Sequence, residues 1–112
     1  MSGQGFKLIS AKDVLNYISR PDTIFIDLRS RKEFEEGHIG RAFHLPIEQI
    51  EAEDYCLVME YSYILYCNHG GVSMQAATLL AGSKMPVFTL VGGFEEYEIF
   101  MRSLVDRKQG KL

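Results

Sequence analysis

The chain has 112 residues and a formal net charge of -3, and its apolar and charged fractions, 46% and 24%, are ordinary for a globular protein. This length fits one domain with its own core and is too short for two, so we expect a single domain over residues 1–112. The mild charge does not point to nucleic acid or to an anionic membrane as a partner. No apolar run approaches the length of a membrane span, and the N-terminus lacks a hydrophobic signal core, so we expect a cytoplasmic protein. We also expect it to be a monomer.

The cysteines of the chain are Cys56 and Cys67. They could pair, but a reducing compartment and the loop setting of Cys67 argue against a structural disulfide. No His and Cys residues have the spacing of zinc ligands, so the sequence predicts neither a metal ion nor a cofactor.

The first predicted elements are a strand, a helix and a second strand. Residues 6–9 alternate apolar and polar side chains, as a short strand does. A helix over about 11–19 follows, with its apolar side chains on one face, and Pro21 forbids its continuation. Residues 23–28 are nearly all apolar, as in a strand buried on both faces. Strand, helix and strand in this order favour a parallel sheet.

The loop after the second strand combines charged residues with a signal for a short helix. Ser30 followed by Glu33 has the spacing of a capping box, and the glycine at 37 is a natural end for one or two helical turns. Either Asp27 or Glu33 is placed to pair with Arg29, which is more typical of a structural ion pair than of a catalytic acid. We expect His38 to orient this loop through a side-chain hydrogen bond.

The middle of the chain is the hardest part to interpret. A short strand is expected near 42–44, and Pro46 ends it. Residues 47–51 fit a helical turn, whereas residues 54–62 fit either a short helix or a strand. Cys56 lies in this ambiguous segment and is expected to be an inert, packed thiol.

The most informative stretch begins with the β-prone, apolar residues 63–66. A tight loop starting at Cys67 follows, and then a helix from about Ser73 to residue 81 that ends at Gly82. Such a loop presents several backbone N–H groups and a helix N-terminus to one point, and it favours a negative charge there. Because the thiolate is the reactive form of cysteine, Cys67 is a candidate nucleophile. The alternative is a small buried residue that closes the strand.

The last predicted elements are a strand and a helix. Pro86 opens an apolar strand over 87–91, and two glycines then turn the chain into a helix. We expect the apolar stripe of this helix to be core, and residues 106–112 to fray. The stripe consists of Phe94, Tyr97, Phe100, Met101, Leu104 and Val105.

Three segments, in order and in register, resemble the rhodanese family. They are residues 27–29 with 33–34 and 37–42; residues 65–67 with Gly70 and Ser73; and residues 90–94 with Tyr97. The resemblance implies an α/β fold of three layers, α/β/α, with a central, mostly parallel five-stranded sheet. It also implies an active-site cysteine at the start of the loop after the fourth strand, which is Cys67 in this chain.

The chemistry that this resemblance implies is the transfer of sulfane sulfur. The Cys67 thiolate attacks the outer sulfur of a small donor, becomes a persulfide, and passes that sulfur to cyanide, a small thiol or a thiol of a partner protein. Backbone N–H groups of the loop would stabilise the persulfide anion. The expected substrate-binding residues are therefore Asn68, His69, Gly70, Gly71, Val72 and Ser73.

The loop departs from the family pattern Cys-x-x-Gly-x-Arg-Ser, because Val72 occupies the arginine position. Residues 68–73 contain no Lys or Arg, and His69 is the residue among them that can carry a positive charge. We therefore expect weak use of thiosulfate, with a persulfide or polysulfide donor or a partner protein more suitable. Tyr97 stands where tryptophan is common, and we expect this to change packing only.

Two functions remain open at this point. One is a sulfurtransferase or persulfide carrier, which the retained cysteine and glycine favour. The other is a rhodanese-like module for protein binding or for sulfur or redox sensing, which the unusual loop favours. A related class of phosphatases needs arginine six positions after the nucleophile, where this chain has Ser73, so phosphatase activity is not expected.

Overall fold

The computed structural model describes residues 5–58, 60–81 and 86–108, and these residues form a five-stranded β-sheet. The strands are β1 (Lys7–Ile9), β2 (Thr23–Asp27), β3 (Phe43–His44), β4 (Ser62–Tyr66) and β5 (Val87–Leu90). Their order across the sheet is β1-β5-β4-β2-β3, and each pairing is parallel. The predicted parallel sheet is therefore confirmed, and the strands of the described residues are all parallel.

Helices cover both faces of this sheet. They are a 3-10 turn (Ala11–Asp13), α1 (Val14–Tyr17), α2 (Arg31–Glu36), α3 (Ile47–Glu51), α4 (Gly71–Leu80) and α5 (Gly93–Lys108). One core packs α3 and α4 against the sheet, and a second core packs α1, α2 and α5 against the opposite face. The predicted three-layer α/β/α fold is therefore confirmed. None of the described helices has the length and apolar character needed to cross a membrane.

Strand β4 carries Cys67 at its carboxyl end and is buried on both faces. Tyr63 and Leu65 belong to the core on the α4 face, and Ile64 and Tyr66 belong to the core on the α5 face. Successive side chains of a strand point to opposite faces, so a central parallel strand needs an unbroken apolar run. Burying each aliphatic side chain stabilises the fold by roughly 1.5–3 kcal/mol. The position at which Cys67 leaves the sheet is therefore firmly fixed.

Helix α4 begins at Gly71, two residues before its predicted start. The reason is Gly70, whose positive φ of 107° turns the chain directly into the helix. Ser73 therefore lies in the first turn of α4 rather than in the loop. The predicted end of the helix at Gly82 falls outside the described residues.

The ambiguous segment contains neither a helix nor a strand over residues 54–58, and β4 begins at Ser62. The prediction that Cys56 is a packed thiol is wrong, because Cys56 is exposed. Its neighbours Tyr55 and Leu57 pack against the core on the α4 face, and this leaves the side chain between them on the outside.

Helix α5 confirms the predicted apolar stripe only in its first turns. Phe94 and Tyr97 pack against the core on the α5 face, but Val105 is 51% exposed. The three other members, Phe100, Met101 and Leu104, are half-buried. The helix continues to Lys108, past the predicted start of the frayed tail, and residues 109–112 lie outside the described part of the chain.

Candidate active site

A cavity of about 390 Å³ lies over the carboxyl ends of β2 and β4. This is the edge of a parallel sheet at which α/β proteins bind ligands. We call it the Cys67 cavity, and its walls are Leu28, Arg29, Cys67, Asn68, His69, Gly71 and Val72. Gly70 and Ser73, which were also predicted to bind substrate, are buried beside Cys67 instead of lining the cavity.

The sulfur of Cys67 accepts two hydrogen bonds from the backbone. The N–H of Gly70 lies 3.1 Å from Sγ and the N–H of Ser73 lies 3.3 Å from it. Cys67 is 6% exposed, so water contributes little to its solvation. Because these donors belong to the start of α4, they are fixed in place and favour a negative charge on the sulfur.

The side chain of Ser73 holds the loop together from inside. Its hydroxyl donates to the carbonyl of Gly70 at 3.1 Å and shares a hydrogen bond with the hydroxyl of Thr89 on β5. Ser73 is 0% exposed and Thr89 is 1% exposed. The backbone N–H of Ser73 is therefore the group that meets Cys67, while its hydroxyl ties the loop to the sheet.

The Cys67 loop also rests on the N-terminus of α5. The N–H of Phe94 donates to the carbonyl of Cys67 at 2.7 Å, and the N–H of Glu95 donates to the carbonyl of Asn68 at 3.2 Å. Gly93 makes this approach possible, because a Cβ there would overlap the Cys67 carbonyl oxygen and lie 2.7 Å from that of Asn68. The Gly-Gly turn before α5 therefore serves to seat the Cys67 loop.

Two carboxylates contact residues at the rim of the Cys67 cavity. Glu33 accepts from the side-chain amide of Asn68 at 2.9 Å, and Glu95 lies 2.8 Å from Nδ1 of His69. The hydrogen bond from Asn68, followed by those from Ser30, lowers the pKa of Glu33, so this carboxylate is ionised at neutral pH. The His69 side chain is 75% exposed and is paired with Glu95, so it brings no unbalanced positive charge to the cavity.

Arg29 is a wall residue that the sequence analysis did not assign to the site. Of the two predicted pairings, the structure has the one with Asp27, through Nε at 3.1 Å from Oδ1 and Nη2 at 2.8 Å from Oδ2. The guanidinium also lies 3.9 Å from the ring centre of Phe94. Burial disfavours the charged form of Arg29. The hydrogen bond to Asp27 and the negative charge of Asp27 outweigh this effect, so the pKa of Arg29 is raised. Arg29 is therefore charged, and Asp27 balances that charge.

Tyr66 completes the buried network below the cavity. Its hydroxyl donates to Oδ2 of Asp27 at 2.6 Å and accepts from the N–H of Ile39 at 3.1 Å. Burial, together with the hydrogen bond to Asp27, raises the pKa of Tyr66 far above its ordinary value, so the phenol stays neutral. The network connects the carboxyl ends of β2 and β4, on which the two sides of the cavity stand.

The remaining histidines are structural in this arrangement. Nδ1 of His38 lies 2.9 Å from the carbonyl of Phe34, and the two rings are stacked, which confirms the predicted orienting contact. Nε2 of His44 lies 2.6 Å from the carbonyl of Arg29. Among the residues that the structure describes, no three His, Cys, Asp or Glu side chains are grouped as metal ligands would be.

The fold and this site define an α/β domain with a cysteine loop at the carboxyl edge of a parallel sheet. The family model of the rhodanese-like domain matches residues 10–99, so the chain belongs to the rhodanese-like domain family.

Similar proteins include "Thiosulfate sulfurtransferase GlpE" of Coxiella burnetii (strain RSA 331 / Henzerling II), 29% identical over 94 residues, which are 83% of this chain and 88% of that protein. "tRNA uridine(34) hydroxylase" of Yersinia enterocolitica is 30% identical over 97 residues, 80% of this chain but 27% of that protein. Among solved structures, a rhodanese-related protein from Thermoplasma volcanium has a TM-score of 0.77 at 22% identity, covering 85% of this chain and 93% of that one.

Proposed function

We propose that this protein is a sulfurtransferase that carries sulfane sulfur as a persulfide on Cys67. The observation that supports this most directly is the pair of backbone N–H groups on Sγ, below a cavity that a small molecule can enter. A structural thiol has no need of two charge-stabilising donors, whereas a nucleophilic thiolate does. The similarity to a thiosulfate sulfurtransferase along most of both chains supports the same class of reaction.

The proposed reaction has two displacement steps at one sulfur. In the first, the Cys67 thiolate attacks the outer sulfur of a persulfide R–S–SH. A new S–S bond forms on Cys67, the donor S–S bond breaks, and the leaving thiolate takes up the persulfide proton to give R–SH and Cys67–S–S⁻. In the second, cyanide or a thiolate attacks the outer sulfur, and the electron pair of the breaking bond returns to Cys67.

We propose that thiosulfate is a poor donor for this site. Thiosulfate is a dianion, and transfer of its outer sulfur to a thiolate leaves a sulfite dianion beside the new persulfide. The loop from 68 to 73 has no Lys or Arg, and its rim residues Asn68 and His69 are bound to carboxylates. Arg29 lines the cavity, but Asp27 balances its charge. A protonated persulfide R–S–SH avoids this repulsion, because it brings no second anionic group to the cavity.

The experiment that tests the proposal is intact mass measurement of the reduced protein after incubation with polysulfide and, separately, with thiosulfate. We expect polysulfide to add about 32 Da, one sulfur atom, and we expect cyanide to remove it. Cys67→Ser should abolish the adduct. Cys56→Ser is the matched control, because Cys56 is exposed and lies outside the Cys67 cavity, and this variant should keep the adduct.

The alternative is a rhodanese-like module that binds a partner protein without turnover. Val72 favours it, because this apolar side chain is 40% exposed in the wall of the cavity. If the protein gains no sulfur from either donor and its Cys67→Ser variant still binds the partner protein, the sulfurtransferase proposal is replaced by the binding module. Efficient turnover with thiosulfate would instead refute the argument about charge.

A further inference from the structure

Thr89 is a polar residue that is buried inside the sheet. It belongs to β5, lies in register with Leu65 of β4, and is 1% exposed. Side chains alternate along a strand, so Thr89 points to the same face as Val87, a member of the core on the α4 face. A valine is also β-branched, suits a strand as well, and would bury no polar atom there. Packing alone therefore does not explain the hydroxyl of Thr89.

The hydroxyl of Thr89 bonds to the hydroxyl of Ser73, in the first turn of α4, at a distance of 2.5 Å. The Ser73 hydroxyl also donates to the carbonyl of Gly70 at 3.1 Å. Because a carbonyl can only accept, the proton of Ser73 is directed to Gly70, and Thr89 is then the donor to Ser73. The two hydrogen bonds form a chain that runs from β5 through Ser73 to Gly70. We call it the hydroxyl chain.

The hydroxyl chain reaches both residues whose N–H groups meet the sulfur. Gly70 and Ser73 donate to Sγ of Cys67 at 3.1 Å and 3.3 Å. Glycine adopts a wide range of backbone conformations, so contacts with its neighbours decide where the N–H of Gly70 points. One such neighbour is the end of β5, because a Cβ on Gly70 would lie 3.2 Å from the nitrogen of Gly92. The directions of both N–H groups therefore depend on contacts with β5 and the turn after it.

We propose that Thr89 is a positioning residue for sulfur transfer, and that its hydroxyl acts through Ser73 to hold both N–H groups on the sulfur of Cys67. This inference rests on the proposed function. Negative charge lies on Sγ before the thiolate attacks the donor. It returns to Sγ when the acceptor bonds to the outer sulfur and the electron pair of the breaking S–S bond goes back to Cys67. Donors that are already held in place stabilise this charge without reorienting.

Loss of the Thr89 hydroxyl should change the two steps in different ways. With less stabilisation on Sγ, a smaller fraction of Cys67 is ionised at low pH, but each thiolate is more nucleophilic. Attack by the sulfur should therefore be slower than in wild type at low pH and faster at high pH. In discharge Sγ is the leaving group, and a poorer leaving group departs more slowly at every pH. A general loss of structure would instead slow attack across the whole pH range.

The test compares Thr89→Val with Thr89 in a Cys56→Ser background, where Cys67 is the remaining cysteine. Alkylation by iodoacetamide is followed by intact mass across a wide pH range. The midpoint of its rate profile reports ionisation, and its plateau reports the reactivity of the thiolate. The protein is then loaded with polysulfide, freed of excess donor and discharged by cyanide in a single turnover. Discharge is expressed as the ratio of variant to wild type, so the ionisation of cyanide cancels.

We expect Thr89→Val to raise the midpoint by about 0.5–1 pH unit, which is a threefold to tenfold smaller thiolate fraction at low pH. The plateau should rise by up to about threefold, and discharge by cyanide should slow about twofold to threefold. Thr89→Ser keeps the hydroxyl and should restore the wild-type profile. An unchanged midpoint in Thr89→Val, or attack that is slower at every pH, would overturn the inference. A Thr89→Ser variant that behaves like Thr89→Val would also overturn it.

Two control variants perturb the same elements without breaking the hydroxyl chain. Val87→Ala loosens the core in β5, on the same face as Thr89 but at the position opposite Tyr63. Thr78→Val removes a hydroxyl of α4 that donates to the carbonyl of Met74 at 2.9 Å. Neither control should move the alkylation midpoint. A shift in either control as large as that in Thr89→Val would overturn the inference.

A double variant separates positioning from stability. Thr89→Val leaves the buried oxygen of Ser73 without its donor, and Ser73→Ala leaves the buried hydroxyl of Thr89 without its acceptor, so each single variant should be less resistant to urea. The double variant Ser73→Ala/Thr89→Val removes both polar groups and should recover part of this resistance. Its alkylation midpoint should stay raised at least as far as in Thr89→Val. A midpoint that returns to the wild-type value together with stability would overturn the inference.

The alkylation profile needs no sulfur transfer, so this inference and the proposed function can fail separately. If persulfide forms on Cys67 and Thr89→Val leaves the profile unchanged, the inference is overturned and the proposed function stands. If the profile shifts as expected but neither donor loads the protein, the proposed function is refuted. Thr89 then remains a residue that positions the N–H groups around a reactive thiol.

Discussion

The contact between the Cys67 loop and the N-terminus of α5 predicts that the substitution Gly93→Ala strongly destabilises the fold. Gly93 has a φ of +65°, and an added Cβ would overlap the carbonyl oxygen of Cys67 and lie 2.7 Å from that of Asn68. These are backbone atoms, so no side-chain rotation relieves the overlap. The left-handed conformation costs about 1–2 kcal/mol and the overlap about 1–3 kcal/mol. We therefore expect the free energy of unfolding to fall by roughly 2–5 kcal/mol, which leaves a domain with a stability of about 10 kcal/mol, the middle of the ordinary range, folded at 25 °C.

The assay is urea denaturation followed by circular dichroism, with persulfide formation on Cys67 as a second readout. Moving the carbonyls of Cys67 and Asn68 away from the N–H groups of α5 should also slow sulfur uptake. The matched control is Gly71→Ala, because no atom lies within 4 Å of the added Cβ there. Since alanine favours helices, this variant should be as stable as wild type or up to about 1 kcal/mol more stable. A loss below about 1 kcal/mol in Gly93→Ala, or an equal loss in both variants, would refute the reasoning.

Three further predictions concern the side chains around the site. Tyr66→Phe removes a hydroxyl that has two buried hydrogen-bond partners, so urea denaturation should show a loss of about 2–4 kcal/mol; a loss below about 0.5 kcal/mol would contradict the network. Replacing Glu33 and Glu95 together by Gln should raise the rate constant for thiosulfate several-fold at low salt and less at high salt. The control Glu35→Gln/Glu98→Gln changes the net charge equally, and an equal gain there would argue against a local effect. Hydrogen bonds, first from the side-chain amide of Asn68 and then from Ser30 at the helix cap, lower the pKa of Glu33 below its ordinary value of 4.5. The ionised Glu33 side chain therefore stabilises the fold above about pH 4.5, and this stabilisation is lost as the pH falls through the lowered pKa. The difference in unfolding free energy between wild type and Glu33→Gln should shrink in that window, and a difference independent of pH would contradict the assignment.

The sheet and the position of Cys67 could be predicted because both follow from local patterns. The β-prone, apolar residues of β4 predicted a strand, and its unbroken apolar run is typical of a strand that is buried on both faces, as β4 is. The capping box of Ser30 and Glu33 forms as its spacing predicts, with the Glu33 N–H donating to the hydroxyl at 3.2 Å. In each case the residues that carry the signal are neighbours in the chain and also in the fold.

The surroundings of the sulfur could not be predicted in the same way, because they depend on contacts between distant parts of the chain. Asn68 meets Glu33 across 35 residues, and His69 meets Glu95 across 26. Arg29 was predicted to be part of an ion pair, but its place in the cavity wall follows from the adjacency of β2 and β4. Because β2 and β4 are adjacent, the residues that follow both strands meet at one point. No local sequence pattern specifies the order of the strands in the sheet.

The charge balance around Cys67 explains why its chemistry would depend on the main chain. Arg29 and His69, the cavity residues that can carry a positive charge, each have a carboxylate partner, and Val72 stands at the arginine position of the family pattern. Stabilisation of the sulfur anion is thus left to the N–H groups of Gly70 and Ser73, which are sufficient for one negative charge near one atom. A second anionic group on the donor would find no comparable partner in these walls. We therefore expect this arrangement to discriminate among sulfur donors by their charge.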